Sequence, residues 1–485
     1  VKGQTDPVDR PHQPIRGSYA SEGTETRCDA GKEAENRSAA RVDGLETGFP
    51  QAIKESPRQH TNLFEQVLEP ENLKAAWRKV RGNKGAPGID GVSIEDFPEL
   101  IRKHWGTILA KLKAGTYQPS PARRKVIPKP NGGQRNLNIP TVLDRLLQQA
   151  ISQVLTPIFE RHFSDSSYGY RPLRSVRCAV EKQLKYSREI GKACHVVDCD
   201  LKSYFDTIPQ ARLMKRLRER IADEQLLGLI HKFLKSGTIL MTGAYEDTEE
   251  GVPQGGPLSP LLSNIVLDEF DKELEARGRR FVRFADDFVI LCGSQRAGSR
   301  ILANVIRFLE DRMKLTVNRM KSSVRTLRET DFLGFCIQQN KVHWSAKSEK
   351  RFKDKVRAIV KRTRGVSASR VTAELRQYIR GAVNFYAFAM PFRFAREIDG
   401  WIRCHVRCYY WKQWKRPRTR RRNLLRLGIP RHEVHKATRS RKGPWRMSHN
   451  TIVHRAMNNE WLKQQGVPSV KEQWQSIRYP KPTPS

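Results

Sequence analysis

Phe281-Val282-Arg283-Phe284-Ala285-Asp286-Asp287-Phe288-Val289-Ile290-Leu291 sets two adjacent carboxylates between two apolar runs, with no Gly or Pro to make an ordinary solvated turn. The pattern predicts a strand or hairpin over Phe281–Cys292, interrupted only at the acids. Burying one unpaired carboxylate is costly, and burying two side by side is worse, because each charge disfavours the other. Divalent cations remove that cost, and hard oxygen ligands suit Mg²⁺. The plain alternative is a surface hairpin tip with two solvated aspartates. For an isolated Asp-Asp pair that alternative is the better one.

A second acidic cluster changes the balance. In Val196-Val197-Asp198-Cys199-Asp200-Leu201-Lys202 a β-branched run ends in acids. The two-residue period of a strand puts Asp198 and Asp200 on one face, and Asp206 follows in the connection. Three carboxylates from two sheet segments can hold two metal ions roughly 3.5–4 Å apart, the arrangement used for in-line phosphoryl displacement. On these residues alone, nucleotidyl transfer and nuclease action are equally open.

The surrounding pattern is a β–α–β order with an antiparallel hairpin, an α+β chain compatible with a ferredoxin-like split βαβ sheet. Helices are predicted over Glu71–Val80, Ile94–Leu112, Val142–Phe163, Arg212–Glu219, Glu224–Leu234, Ser259–Arg277 and Arg300–Lys314. A hairpin is predicted around Asn131-Gly132-Gly133, and a strand pair around Thr238–Ala244 and Thr248–Val252. Residues 1–58 are rich in Gly, Ser, Thr and charge and poor in aliphatics, the composition of a disordered extension. After about Ser345 the chain turns helical and strongly basic.

Phe284-Ala285-Asp286-Asp287 resembles the catalytic box of reverse transcriptases, usually Tyr-Ala-Asp-Asp, with Phe replacing Tyr. Asp200-Leu201-Lys202-Ser203-Tyr204-Phe205-Asp206 is similar to the partner motif of that family. Gly251-Val252-Pro253-Gln254-Gly255-Gly256-Pro257-Leu258-Ser259-Pro260 is similar to its third. Ile127-Pro128-Lys129-Pro130, Ile139-Pro140-Thr141, Asp144-Arg145, Ser167-Tyr168-Gly169-Tyr170-Arg171-Pro172 and Phe332-Leu333-Gly334-Phe335 extend the likeness over roughly Thr61 to Trp474. Within the superfamily the chain resembles the reverse transcriptase and maturase encoded by bacterial group II introns.

That resemblance implies a right-hand polymerase: fingers and ferredoxin-like palm over 59–340, a helical thumb or maturase domain over 341–415, and a basic DNA-binding region over 416–485. It implies a catalytic metal site of Asp200, Asp286 and Asp287, with the Leu201 carbonyl as a further ligand, two Mg²⁺ ions that Mn²⁺ can replace, and dNTP substrates. Asp198 and Asp206 are left to structural hydrogen bonds. Phe205 matches the bulky position that blocks a ribose 2′-OH, though by itself it reads as a core aromatic. Lys129 and Arg135 flank the hairpin that closes on the incoming nucleotide, where cations neutralise a triphosphate, and Lys125 competes with Lys129. Gln254 is assigned to the sugar or base, with a tight turn as the alternative. Lys321 is assigned to the leaving pyrophosphate, with a solvated lysine as the alternative. Phe332, Leu333, Gly334 and Phe335 are assigned to support of the primer end, with an ordinary buried strand as the alternative. Phe284 leaves the acids intact and implies altered kinetics at most.

Charge points the same way. The chain of 485 residues carries a formal net charge of +39, and residues 351–485 hold 33 basic against 7 acidic side chains. Such an excess predicts a polyanionic partner. Six of the nine tryptophans lie beyond position 400, interleaved with Arg416, Arg418, Arg420, Arg421 and Arg422. Cations can meet phosphates while aromatics stack on bases, or the tryptophans are core and only the arginines face nucleic acid. Arg171 is a further nucleic-acid-binding expectation. The partners implied are group II intron RNA, an RNA template with a DNA primer, and target DNA.

Eight scattered cysteines read as reduced thiols rather than a disulfide framework. Cys404 and Cys408 lack a second pair for zinc. With no apolar run of membrane length and no secretory signal, a bacterial cytoplasmic location without membrane contact is expected. The family's Cys/His-rich endonuclease domain has no counterpart before Ser485, so another source of primer is expected, such as nascent strands at replication forks. The oligomeric state stays open. Two other functions remain in view: a non-enzymatic splicing maturase, and a related reverse transcriptase recruited to repair or phage defence. Retention of the three costly carboxylates, Gln254 and Phe205 argues for the active polymerase.

Overall fold

The computed structural model describes residues 60–128 and 133–480. The expected N-terminal extension, Lys129 and the Asn131-Gly132 hairpin tip lie outside those residues.

Strands β1 (Ala122–Pro128) and β2 (Gln134–Ile139) pair antiparallel, with Arg123 opposite Ile139 and Ile127 opposite Arg135. Strand β3 (His195–Cys199) belongs to a different sheet. The short strands β4 (Thr238–Ile239) and β5 (Tyr245–Glu246) complete the first sheet in the order β2-β1-β4-β5. The strand pair expected over Thr238–Ala244 and Thr248–Val252 is therefore shorter, and its second member lies upstream, at Tyr245–Glu246.

The second sheet holds the acids. Strands β6 (Arg280–Phe284) and β7 (Asp287–Cys292) form the predicted hairpin, and β8 (Ser323–Thr326) completes the antiparallel order β6-β7-β3-β8. The outer side of β6 is also occupied. Arg283 N donates to the Ser166 carbonyl at 2.8 Å, and Tyr168 N donates to the Arg283 carbonyl at 2.8 Å.

Alternation decides what each face of this sheet does. Val197, Cys199, Phe281, Phe288, Ile290 and Cys292 point into the main core, against the helices Val142–Glu160, Gln210–Arg218, Ser259–Ala276 and Gln295–Arg307. Each fully buried large apolar side chain contributes about 1.5–3 kcal/mol relative to exposure. Val196, Val282, Val289 and Leu291 point the other way, into a smaller cluster with Tyr168, Ala179 and Phe332. Asp198, Asp287 and, one residue past β3, Asp200 share the strand parity of that second face.

The helices begin where local chemistry starts them. Thr141 accepts a hydrogen bond from Asp144 N and donates to the Asp144 carboxylate, a reciprocal N-cap for Val142–Glu160. The helix expected to reach Phe163 stops at Glu160, three residues after Pro157. A second apolar core gathers the helices Ala346–Ile359, Ala368–Tyr386 and Phe392–Gln413 with the short helices that follow, through Trp474. One cluster thus runs continuously across position 415. The hairpin of β9 (Phe335–Gln338) and β10 (Lys341–Trp344) leads into it. Among the described residues no helix is long and apolar enough to cross a membrane.

Candidate active site

Asp286 and Asp287 sit at the tip of the β6–β7 hairpin, where Phe284 faces Asp287 across a two-residue turn. The first turn residue, Ala285, has φ 59°. A left-handed alanine is strained by about 1–3 kcal/mol, and such strain persists only where the surroundings over-determine it. They do so here. Arg283, fully buried, donates from Nη1 to the Ala285 carbonyl at 3.0 Å and to Asn264 Oδ1 at 2.9 Å. Its Nε and Nη2 pair with the equally buried Asp271 carboxylate at 2.8 and 2.5 Å. Asn264 Nδ2 then donates to the Gly169 carbonyl at 2.8 Å. A Cβ on Gly169 would stand 2.2 Å from Ala285 N, so only glycine lets this segment lie under the turn.

Asp200 follows β3 and is tied to the segment before β8. Its backbone carbonyl accepts from Asn318 N at 2.8 Å. Its carboxylate accepts from Asn318 Nδ2 at 3.2 Å and pairs with Lys321 Nζ at 3.3 Å. Leu201 is buried and bridged to Val317, which fixes the backbone beside Asp200.

The acids feel one another. Asp287 reaches solvent, yet the protein crowds it enough to push its pKa up to about 6, with the charges of Asp286, Asp200 and Asp198 adding to the rise and Lys321 opposing it. Burial also raises Asp286; a backbone hydrogen bond and then the Arg135 guanidinium oppose that rise. Burial raises Asp198, with Arg325 opposing. Among the described residues no three His, Cys, Asp or Glu side chains converge closely enough to be a ready-made metal site. The Asp200 carboxylate is turned to Lys321 and Asn318. The donor set still fits a hard divalent cation in kind: oxygen ligands only, with the pKa values of Asp286 and Asp287 raised by burial and by neighbouring carboxylates.

Other expected residues gather around these carboxylates. Arg135 projects from β2 within electrostatic reach of Asp286 and Tyr170. Phe205 lies in a single turn of 3₁₀ helix, Tyr204–Asp206, half-buried and edge-on to Tyr204 at 5.5 Å. Its carbonyl accepts from Val252 N at 2.7 Å, which joins it to the Gln254 loop. Gln254 ties β2 to the 3₁₀ turn: its carbonyl accepts from Asn138 N at 2.7 Å, and its amide donates to Asp206 at 3.2 Å. Gly255, at φ 129°, packs so close that a Cβ would meet the Asn138 carbonyl at 2.2 Å.

The segment Phe332–Phe335 is a tight turn, which replaces the expectation of an ordinary buried strand. Phe332 and Phe335 exchange two backbone hydrogen bonds of 2.9 Å, and Leu333 and Gly334 have φ 54° and 85°. Phe332 belongs to the cluster under the acids and Phe335 to the C-terminal core.

Two expectations are corrected. Arg171 is buried and holds the framework together. Its Nε and Nη2 grip the Glu160 carboxylate at 2.7–3.1 Å, and its Nη1 reaches the Ser164 and Ser167 carbonyls at 2.5 and 2.9 Å. With its fork so engaged it has little left to offer a phosphate. Arg420 folds back onto the buried Trp411 ring at 4.9 Å and donates to the Trp414 carbonyl at 2.9 Å. Arg416, Arg418 and Arg421 are exposed, as a phosphate contact requires. Trp411 and Trp474 are core, and Trp445 is 42% exposed. The supporting residues Arg283, Asp271 and Asn264 were missed. Their signal was the strand parity of Arg283 with the core-facing Phe281, which asks for a buried carboxylate partner.

The chain is similar to known proteins. The family described as reverse transcriptase (RNA-dependent DNA polymerase) matches residues 127–337, and the group II intron, maturase-specific domain matches residues 349–428. The chain is 36% identical over 300 residues to protein YkfC of Escherichia coli, covering 54% of this chain and 78% of that one. It is 37% identical over 268 residues to the group II intron-encoded protein LtrA of Lactococcus lactis, covering 54% of this chain and 42% of that one. It therefore spans less than half the length of LtrA. A chain of a solved partial Cas6-RT-Cas1–Cas2 complex is 28% identical, with a TM-score of 0.34 over 51% of this chain and 42% of that one.

Proposed function

The chain belongs to the family of group II intron-encoded reverse transcriptases and maturases, and on that premise we propose that it is an RNA-directed DNA polymerase that binds its intron RNA, assists splicing and copies the intron into DNA. The observation that carries this reading is the placement of Asp200, Asp286 and Asp287 at one end of a sheet, near enough for the Asp200 charge to act on both others, with Arg135 acting on Asp286.

We assign Asp200, Asp286, Asp287 and the Leu201 carbonyl to two divalent ions, Mg²⁺ in the cell with Mn²⁺ able to substitute. Bound there, such ions activate the attacking primer hydroxyl and neutralise charge on the phosphates. The protein's own part is positioning. The Arg283–Asp271 pair and Gly169 hold the turn that carries Asp286 and Asp287 at the end of the sheet. Arg135, together with Lys129, meets the triphosphate of the incoming dNTP. Arg135 is suited by its planar fork. Phe205 stands where a ribose 2′-OH would project, and Gln254 is fixed beside it by Asn138 and Asp206. Lys321, which pairs with Asp200 at 3.3 Å, would meet the leaving pyrophosphate. The Phe332–Phe335 turn supports the primer end.

Residues 59–340 then serve as fingers and palm, 341–415 as thumb, and 416–485 as the basic region that meets intron RNA and target DNA through Arg416, Arg418 and Arg421. Such work places the protein with cytoplasmic nucleic acid. The test is primer extension on an RNA template with dNTPs and Mg²⁺, parent against Asp286→Ala. Long cDNA from the parent and none from the variant is the expected result. No product from the parent, with tight intron RNA binding retained, would replace the polymerase with a non-enzymatic maturase.

A further inference from the structure

Leu173 has no packing partner to explain it. It is an aliphatic residue at 104% relative exposure, held at φ 58°, a left-handed conformation that favours glycine. Three residues earlier Tyr170 repeats the pattern, 54% exposed at φ 59°. Between and beside them stand two arginines, and both turn inward. Arg171 is committed to Glu160, Ser164 and Ser167. Arg174 pairs with Asp165 at 2.8 Å and lies over the Tyr168 ring at 5.4 Å. The cations are used to hold the loop, and the apolar side chains are what it presents.

The loop is fixed to the catalytic turn. Gly169 packs against the Ala285 backbone and is gripped by Asn264, which Arg283 also holds. The phenol of Tyr170 is raised in pKa by burial and by the charges of Asp286 and Asp287, and Arg135 opposes the rise. Tyr170, next in the chain to Gly169, thus stands beside the turn that carries Asp286 and Asp287.

We propose that Tyr170 and Leu173 form a rigid apolar prong that packs on the sugars and base edges of the primer–template duplex beside the primer terminus, fixing the last base pair. This rests on the polymerase reading above. A duplex entering this site offers two kinds of surface. Its phosphates are met by the chain's many cations, whereas its deoxyribose faces and groove edges are met by apolar side chains. A loop whose backbone is already held loses little further backbone freedom on binding, which favours affinity.

The experiment compares Leu173→Gly and Tyr170→Ala with the parent in binding a fluorescent RNA-template/DNA-primer duplex across a salt series, with melting temperature and primer extension measured alongside. Leu173→Gly relieves the left-handed strain, so its melting temperature should equal or exceed the parent's. Its Kd for the duplex should rise 5- to 10-fold with an unchanged salt slope, because no phosphate contact is lost. Tyr170→Ala should weaken binding at least as much. A Leu173→Gly protein that binds the duplex within 2-fold of the parent overturns the inference, as does a salt slope reduced in step with the affinity. If the parent binds the duplex but extends nothing, the polymerase reading falls, while the Kd comparison still decides the prong.

Discussion

Arg283 donates to the carbonyl of Ala285 at 3.0 Å, so the turn that carries Asp286 hangs from the ion pair of Arg283 with Asp271. Removing one partner of such a pair leaves an uncompensated buried charge. Asp271→Asn should therefore cost about 3–5 kcal/mol of stability by denaturant unfolding. The double variant Arg283→Met/Asp271→Leu should recover most of that loss. It should not recover primer extension, because the Ala285 carbonyl still lacks its donor. Full activity in the double variant would show that the turn holds its shape unaided.

Gly169→Ala places a methyl 2.2 Å from Ala285 N, backbone against backbone. Neither atom is the end of a flexible side chain, so the turn must shift. We expect a loss of stability of about 1–3 kcal/mol. Primer extension should fall by about 100-fold, the scale on which a 1 Å misplacement is felt. Parent-like extension would mean that the catalytic turn tolerates displacement.

Phe205 is fixed through its carbonyl to Val252 N, so its ring can be trimmed without releasing the backbone. Phe205→Val should keep dNTP incorporation within a few-fold. It should raise the relative kcat/KM for ribonucleotides by at least about 10-fold, the scale of one removed steric contact. Unchanged sugar discrimination would return Phe205 to an ordinary packing role.

Asp268 gives a pH prediction. Burial, then the charge of Asp271, pushes its pKa up to about 6, and its Oδ1 has no hydrogen-bond partner. The folded state holds this proton more tightly than the unfolded chain does. The associated stability is present below the unfolded pKa near 4 and is lost as pH rises through about 6. Relative to Asp268→Asn, the parent should therefore lose about 1–3 kcal/mol between pH 4 and pH 6.5 and change little above it. Parallel stability curves for the two proteins across that range would show that Asp268 does not titrate there.

In the basic region the exposed and the folded-back arginines should behave differently. Arg418→Ala and Arg421→Ala should each weaken RNA binding and lower the salt slope by about 1. Arg420→Ala should lower the melting temperature, since its guanidinium covers Trp411. Equal effects of all three on binding and on melting would erase the distinction.

Much of the site was legible because acids inside apolar strands are anomalous, and the anomaly survives without coordinates. Asp200, Asp286 and Asp287 stand out for that reason, and strand parity places Asp198 and Asp200 together. What a linear pattern could not reveal is the direction in which a long cation turns. Arg171 and Arg420 read as surface charges, yet each folds inward, because the neighbouring carbonyls, the Glu160 carboxylate and the Trp411 face satisfy it better than water. Arg283 was passed over for the converse reason: its partner lies twelve residues away on another element. The Phe332–Phe335 turn was hidden because left-handed Leu333 breaks the rule by which turns are recognised.

The hydrogen bonds that Ser166 and Tyr168 exchange with Arg283 have a consequence beyond the site. Without them β6 would be a bare margin of the sheet, rich in phenylalanine, offering free amides to any passing extended chain. With the outward N–H and C=O of Arg283 taken by the molecule's own backbone, strand addition by another chain is hindered at the centre of that margin. At high local concentration that favours dispersed molecules over fibril seeds.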